Sequence, residues 1–534
     1  MPDFTYPELP VDGLLRTAAE RHPHRLALRT AHEALTFGEL AVRAERIAAF
    51  VAQATGGRPG ARVAVANVLD PVFAAAYHGV IGAGATVVLV NPLMGEDGLR
   101  HVCAASGAEL ALVPAATAGS LAKMRRLLPS LATIAVTDSP AALVPPGCVA
   151  LHTALEEAPA TGGRPPADLD DVACVQFTTG TTGRPRGVRL THRNVVANAR
   201  QTALAHLLGS DSVTVNHLPL YHVMHLNSAL SAGACQVLCT DPDPLVSLAV
   251  AAGTGATHYY GLPARLHRLA ADDRLPGTPP PARGGSRLTA VLSGGSRLRP
   301  DAATTLRDLL RVPVIQGYGM AELSPLTHCQ RPGLDRPGAV GVPVPGTRCR
   351  LVDPATRRPV DVWSTGEVQV KGPQLMAGYL GEDTPARTDA DGWFSTGDIG
   401  YIDGDGALRL VDRADDIFKY DNEIVSPSRI EEILATDPRV ADCLVADWPD
   451  DTHGGLVWAG IVLRDTPGSG DTPGSGDTHE VLDVLDSITA RANEHLAHFE
   501  RIRLTEALDA VPRTPNGKPA RRLVRRRLAQ QAAC

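Results

Sequence analysis

The chain has 534 residues, 44% of them hydrophobic and 20% charged, with a formal net charge of −7. That length exceeds one ordinary core and predicts two or three domains. The acidic balance argues against a nucleic-acid or anionic-membrane partner, although ARRLVRRRL near the C-terminus is locally basic. The nine cysteines are scattered with no CxxC pair, which fits a reducing cytoplasm and speaks against a zinc site.

The N-terminal MPDFTYPELPVDG has an acid and prolines where a secretory signal would carry basic residues and an apolar run, so a cytoplasmic protein is expected. Next come RVAVANV at 62–68 and the uncharged stretch at 71–95, PVFAAAYHGVIGAGATVVLVNPLMG. About 20 apolar residues would span a bilayer, but the Gly-x-Gly at Gly82 and Gly84 divides this stretch into an Ala-rich half and a β-branched run. It therefore reads as a helix feeding a buried parallel strand, not as a membrane span. Further β-branched runs follow at 109–114, 133–138, 256–263, 288–295 and 312–319, separated by Ala/Leu/Arg-rich stretches. This alternation predicts α/β architecture with parallel sheets covered by helices. After residue 336, RCRLVDP, GEVQVKGP and DIGYIDGDGALRLVD, punctuated by Gly, Pro and Asp, predict antiparallel hairpins, and a smaller mixed unit begins near 416. Within it DTPGSG occurs twice, at 465–470 and 471–476, and is expected to be a flexible surface loop without function.

The stretch QFTTGTTGRPRGVRLTHRN at 176–194 is the first with chemistry in it. Glycines let backbone N–H groups converge on an anion and threonine hydroxyls add donors, but the Gly-Lys pair of a Walker loop is missing. Taken alone it also reads as a Gly/Thr turn between a strand, ACVQF, and a helix, HRNVVANARQ. The order of further motifs decides: LPLYH at 218–222, LSGGSRL at 292–298, QGYGMAE at 316–322, GWFSTGD at 392–398, DRADDIFKY at 412–420 and PRTPNGK at 512–518. Together these resemble the AMP-forming adenylating superfamily of acyl- and aryl-CoA synthetases, peptide-synthetase adenylation domains and luciferases. The motif form is nearest to acyl/aryl-CoA ligases, and the resemblance covers nearly the whole chain.

The resemblance implies a large N-terminal domain of parallel α/β sheets over 1–412, with a β-barrel-like part at about 336–412. A hinge at 413–416 and a small mobile α+β domain over 417–534 follow. ATP and Mg2+ are implied, with a small carboxylic acid as substrate and the thiol of CoA, or of a carrier protein's phosphopantetheine, as acceptor. Thr178, Thr179, Gly180, Thr181, Thr182, Gly183 and Arg186 would grip the departing pyrophosphate. Gly295, Ser296, Gln316, Gly317, Tyr318 and Gly319 would frame the nucleotide, with Tyr318 against adenine and Glu322 and Thr178 toward the metal. Asp398 would accept the ribose hydroxyls and Arg413 reach ribose and phosphate. Lys518 would bridge acid and α-phosphate during adenylation; Asp415 would be the pivot and Lys419 the loop lysine of the second half-reaction. His222 would shape the carboxylate pocket, walled by Val223, Met224, His225, Ser228, Gly294 and Met320.

Three positions depart from the family pattern: Arg186 replaces a lysine, Ala321 a threonine that contacts phosphate, and Asp421-Asn422 a glycine after the loop lysine. Ser324 is a candidate replacement for the lost threonine donor. Tyr221-His222 stands where amino-acid-activating relatives carry an aspartate, which disfavours an α-amino acid and favours a small aromatic or unsaturated acid. Capture of the adenylate by an amine, giving an amide or diazo group, is the alternative outcome.

Overall fold

The computed structural model describes residues 4–139, 143–158, 166–178, 185–277, 287–333, 335–382, 387–421, 423–464, 478–513 and 519–532. Thr179, Gly180, Thr181, Thr182, Gly183, Asn422, Lys518 and the DTPGSG repeat lie outside the described residues. The chain forms a mixed α/β protein of two compact units, one of Met1–Cys349, Gln369–Ser395 and Asp405–Leu408, the other of Arg350–Val368, Thr396–Gly404 and Arg409–Cys534.

The larger unit holds two sheets. In one, six strands run parallel in the order Val172–Thr178, Thr86–Val90, Arg62–Ala66, Leu110–Val113, Thr133–Val136, Val149–Ala150. Thr86–Val90 is buried at every position, as a strand covered on both faces must be, and this explains its unbroken TVVLV run. The uncharged stretch therefore divides as expected, into helix Pro71–Gly82 and that strand. Asp70 caps the helix by accepting from the Val72 amide, and Pro71 occupies the first turn, where its missing N–H costs nothing. No helix among the described residues is long and apolar enough to cross a membrane. Helix Phe37–Thr55 packs closely on Pro71–Gly82: a Cβ at Gly79 would lie 2.6 Å from the Ala44 carbonyl oxygen and 2.9 Å from Ile47 Cβ.

A strand stands between the Gly/Thr stretch and the helix expected after it. Arg186–Thr191 is a strand that pairs antiparallel with Val172–Thr178, Thr178 opposite Arg186. Helix His192–Ala205 begins only afterwards, where Thr191 and Asn194 form a reciprocal capping box. The strand Gly378–Tyr379 then adds to the free edge of Arg186–Thr191, pairing Tyr379 with Val188.

The second sheet of this unit has parallel strands Val314–Gly319, Ala290–Ser293, His258–Gly261, Val213–His217, Cys235–Leu238 and Leu26–Arg29 as neighbours, with antiparallel strands closing both ends. The chain leaves Val314–Gly319 and returns antiparallel as Leu326–Cys329. Beyond residue 336 the expected β texture appears as a four-stranded sheet in chain order, Arg348–Val352, Gly366–Lys371, Phe394–Ile402, Leu408–Arg413.

The smaller unit is built on the long antiparallel pair Val440–Asp450 and Gly454–Leu463, flanked by Phe418–Tyr420, Glu423–Val425 and the parallel strand Ile502–Ala507. Helices Pro427–Leu434, Thr478–Asn493 and Arg521–Ala532 complete it. Arg521, only 7% exposed, donates to Asp416, Glu431 and the Val445 carbonyl. A buried guanidinium needs this many acceptors to offset its desolvation.

Candidate active site

Glu322 follows the Val314–Gly319 strand in the short helical turn Ala321–Leu323 and is 6% exposed. The Tyr379 hydroxyl donates to its Oε1 at 2.8 Å, and the Met376 amide donates to its carbonyl oxygen at 2.9 Å. Its Oε2 has no hydrogen-bond partner among the described residues. A buried carboxylate with one oxygen held and the other open suits a hard, oxygen-seeking cation such as Mg2+, which takes one or two carboxylates plus phosphate and water oxygens rather than an all-protein cage. Among the described residues no group of three His, Cys, Asp or Glu side chains gathers for a metal, so Glu322 would act with the nucleotide's own oxygens.

Arg186 opens the strand Arg186–Thr191. Its guanidinium lies 3.4 Å above the centre of the Tyr379 ring, and Nη2 donates to both Glu382 oxygens at 2.6 and 2.8 Å. The residue assigned to pyrophosphate is thus engaged by two neighbours that sequence reasoning missed, Tyr379 and Glu382. Burial first, and then the Glu322 carboxylate, push the Tyr379 phenol above its ordinary range, so it serves Glu322 as donor.

The QGYGMAE segment is shaped by its own backbone. A Cβ at Gly319 would lie 1.8 Å from the Pro325 carbonyl oxygen, so this glycine answers to the returning chain, whereas one at Gly294 would meet nothing nearer than the Gly317 carbonyl at 3.6 Å. Gly295 and Ser296 are exposed, Tyr318 packs 5.8 Å from His328, and the Gln316 amide donates to Gln330. The Ser324 hydroxyl donates to the Gln374 carbonyl at 2.8 Å, so its one proton is spent and the donor lost at Ala321 is not replaced there.

His222 caps helix Val223–Ala232, accepting the Met224 amide on Nδ1 at 3.2 Å. Burial pushes its pKa down to about 4, so the ring is neutral and its proton sits on Nε2. His225 stands one turn along, its ring 4.1 Å edge-on from Tyr260, and burial, then His222 and His206, hold it well below the ordinary histidine range. Tyr260 in turn bonds His206 Nδ1 at 2.9 Å. The structure therefore brings His222, His225 and Met224 together with Tyr260, which the sequence did not flag. Val223 and Ser228 are 3% and 1% exposed, and Ser228 bonds the His225 carbonyl. Met320 is half-buried, its amide on the Pro325 carbonyl.

In the smaller unit, Asp398 is 9% exposed on strand Phe394–Ile402, with Arg413 Nε 3.5 Å from its Oδ1. Asp415 is exposed, and Arg525 of the last helix donates to the backbone carbonyls of Asp415 and Asp416. Lys419 is exposed on strand Phe418–Tyr420, opposite Ile424. Asp421 adopts a left-handed conformation, φ +48°, and its carboxylate meets His453 Nδ1 at 2.8 Å.

These two units define an adenylate-forming α/β enzyme. The solved structure of the anthranilate CoA ligase AuaEII, in complex with anthranoyl-AMP, has the same fold, with a TM-score of 0.85 at 22% identity over 99% of this chain and 98% of that one. The family model described as AMP-binding enzyme matches residues 15–380, and that of the AMP-binding enzyme C-terminal domain matches 429–518. The chain belongs to the AMP-binding enzyme family, as an AMP-forming acid–thiol ligase. It is 31% identical to a feruloyl-CoA synthase of Amycolatopsis sp over 95% of this chain and 97% of the relative. It is 29% identical to 4-coumarate–CoA ligase 5 of Oryza sativa subsp. japonica over 99% and 96%.

Proposed function

We propose that the protein activates a small aromatic or short unsaturated carboxylic acid as its acyl-adenylate, releasing pyrophosphate, and passes the acyl group to the thiol of CoA. The observation that carries this reading is the neutral, aromatic group of His222, His225 and Tyr260 behind the Pro-Leu-Tyr-His motif. Such surroundings accept a flat, uncharged ring and would leave an amino acid's ammonium buried and unpaired. The feruloyl and coumaroyl relatives support the same class of acid.

In this reading Thr178, Thr179, Gly180, Thr181, Thr182 and Gly183 grip the phosphates that leave. Backbone N–H groups and hydroxyls there stabilise charge as it develops. Tyr318 covers adenine, Asp398 takes the ribose hydroxyls, and Arg413 stands beside it. A magnesium ion, when bound, would neutralise phosphate charge, and Glu322 with Thr178 would hold it. The His222 Nε2–H would donate to an acid's carboxylate. Lys518 bridges acid and α-phosphate in the first half-reaction, and rotation about Asp415 exchanges it for Lys419 in the second.

One observation favours the alternative in which an amine captures the adenylate: an acid, Asp421, paired with His453, stands beside Asn422 where the family's glycine leaves room for a thiol arm. Screening small acids by pyrophosphate release, with CoA and hydroxylamine offered in parallel, separates the two. A CoA thioester formed faster than CoA-independent turnover upholds the thiol reading; CoA-independent product alone sinks it.

A further inference from the structure

The segment Met376–Glu382 touches both halves of the candidate phosphate site. The Met376 amide holds the Glu322 backbone, and the Leu380 amide donates to the Gly187 carbonyl at 2.7 Å, next to Arg186. Between these anchors Tyr379, 4% exposed, puts its hydroxyl on Glu322 Oε1 and its ring under the Arg186 guanidinium. Glu382 closes the series by fixing Arg186 from the other side. Four residues from three separate stretches of chain thus form a continuous row: Glu382, Arg186, Tyr379, Glu322.

We propose that Tyr379 is a positioning residue that holds the Glu322 carboxylate in place for the divalent cation of the nucleotide, and that Arg186, clamped by Glu382, acts on Glu322 through the Tyr379 ring. The proposal rests on the adenylating reading of Glu322 and adds two residues to it. Its physics is local. A carboxylate with one oxygen fixed by a hydroxyl cannot rotate away from an incoming cation, so less order has to be imposed when the cation binds. A cation over the face of a phenol draws electron density from the ring and strengthens the hydroxyl as donor. Arginine at position 186 is then a suitable residue, because a planar guanidinium stacks on a ring and meets a carboxylate at its edge, which a compact ammonium does not do equally well.

The test uses the full chain and a readout besides turnover: the affinity of Mn2+ for the protein in the presence of ATP, by electron paramagnetic resonance, alongside ATP binding in excess EDTA. Tyr379→Phe keeps the ring and removes the hydroxyl, and should weaken Mn2+ binding about tenfold, the weight of one hydrogen bond to a charged group, while metal-free ATP binding stays within about twofold. Glu382→Gln should weaken Mn2+ binding in the same direction by a smaller factor. In the Tyr379→Phe background it should add little, because its route to Glu322 has been cut. Arg186→Lys should also weaken it. Circular dichroism and melting identify any variant that misfolds, and Glu382→Gln, at a half-exposed side chain, keeps the test open if Tyr379→Phe is one. Unchanged Mn2+ affinity in Tyr379→Phe, or an undiminished Glu382→Gln effect in that background, overturns the proposal and leaves the adenylating reading intact. Failure of the wild-type protein to bind Mn2+ with ATP overturns that reading and the proposal together.

Discussion

His78 on helix Pro71–Gly82 is 2% exposed, and neither ring nitrogen has a hydrogen-bond partner among the described residues. Burial pushes its pKa down to about 3. The folded protein therefore refuses a proton that the unfolded chain accepts near pH 6.5. Stability from the neutral ring is complete above that value and is lost progressively as pH falls from 6.5 toward 3. At pH 5 the gap is about 1.5 pH units, so this residue alone costs the wild type about 2 kcal/mol relative to pH 7. His78→Leu removes the titration and two unsatisfied polar atoms, whose burial costs about 1–3 kcal/mol. Urea unfolding followed by far-UV circular dichroism at pH 7 and pH 5 measures both effects. The variant should be the more stable at pH 7, and its advantage should widen by about 2 kcal/mol at pH 5. An advantage equal at the two pH values, or a variant less stable at both, would refute the burial of a neutral, unpartnered imidazole.

Gly79→Ala should destabilise by about 1–3 kcal/mol in the same assay, because its methyl would press on Ala44 and Ile47 and force two helices apart; an unchanged midpoint would deny that close approach. Arg525→Ala frees the Asp415 and Asp416 carbonyls at the proposed pivot. It should slow the thioester half-reaction several-fold in single-turnover experiments, with little change in adenylation; equal effects on both would remove Arg525 from the pivot. Lys518→Ala should abolish adenylate formation yet leave thiolysis of a supplied adenylate largely intact, and equal loss of both would contradict alternation between Lys518 and Lys419.

Much of the fold was legible because its signals are local. The Gly-x-Gly break in 71–95 marked the end of a helix and the start of a buried strand, and the turn residues after 336 marked separate short strands. Family membership was legible in the order of the motifs. What escaped were contacts made across long stretches of chain. Arg186 read as a phosphate contact because nothing near it announces Tyr379 or Glu382, about 190 residues on; the only trace is the Gly-Tyr pair of LMAGYL, which reads as strand. The glycines of LSGG and QGYG look alike in sequence, yet Gly319 is imposed by the returning backbone at Pro325 and Gly294 is not. The strand Arg186–Thr191 has no signal of its own in a stretch that reads as a Gly/Thr turn, because its partner, Val172–Thr178, lies on the other side of the glycine run in sequence. Ser324 offered a hydroxyl at the right distance in sequence, and only its bond to Gln374 shows the proton already committed.

The central claim is that this chain cleaves ATP between the α- and β-phosphates to activate an acid. Incubating the purified full chain with ATP, Mg2+, CoA and a hydroxycinnamic acid, and quantifying nucleotides and phosphates by chromatography, tests it most directly. One AMP and one pyrophosphate should appear for each acid converted. ADP and inorganic phosphate in their place would contradict the account.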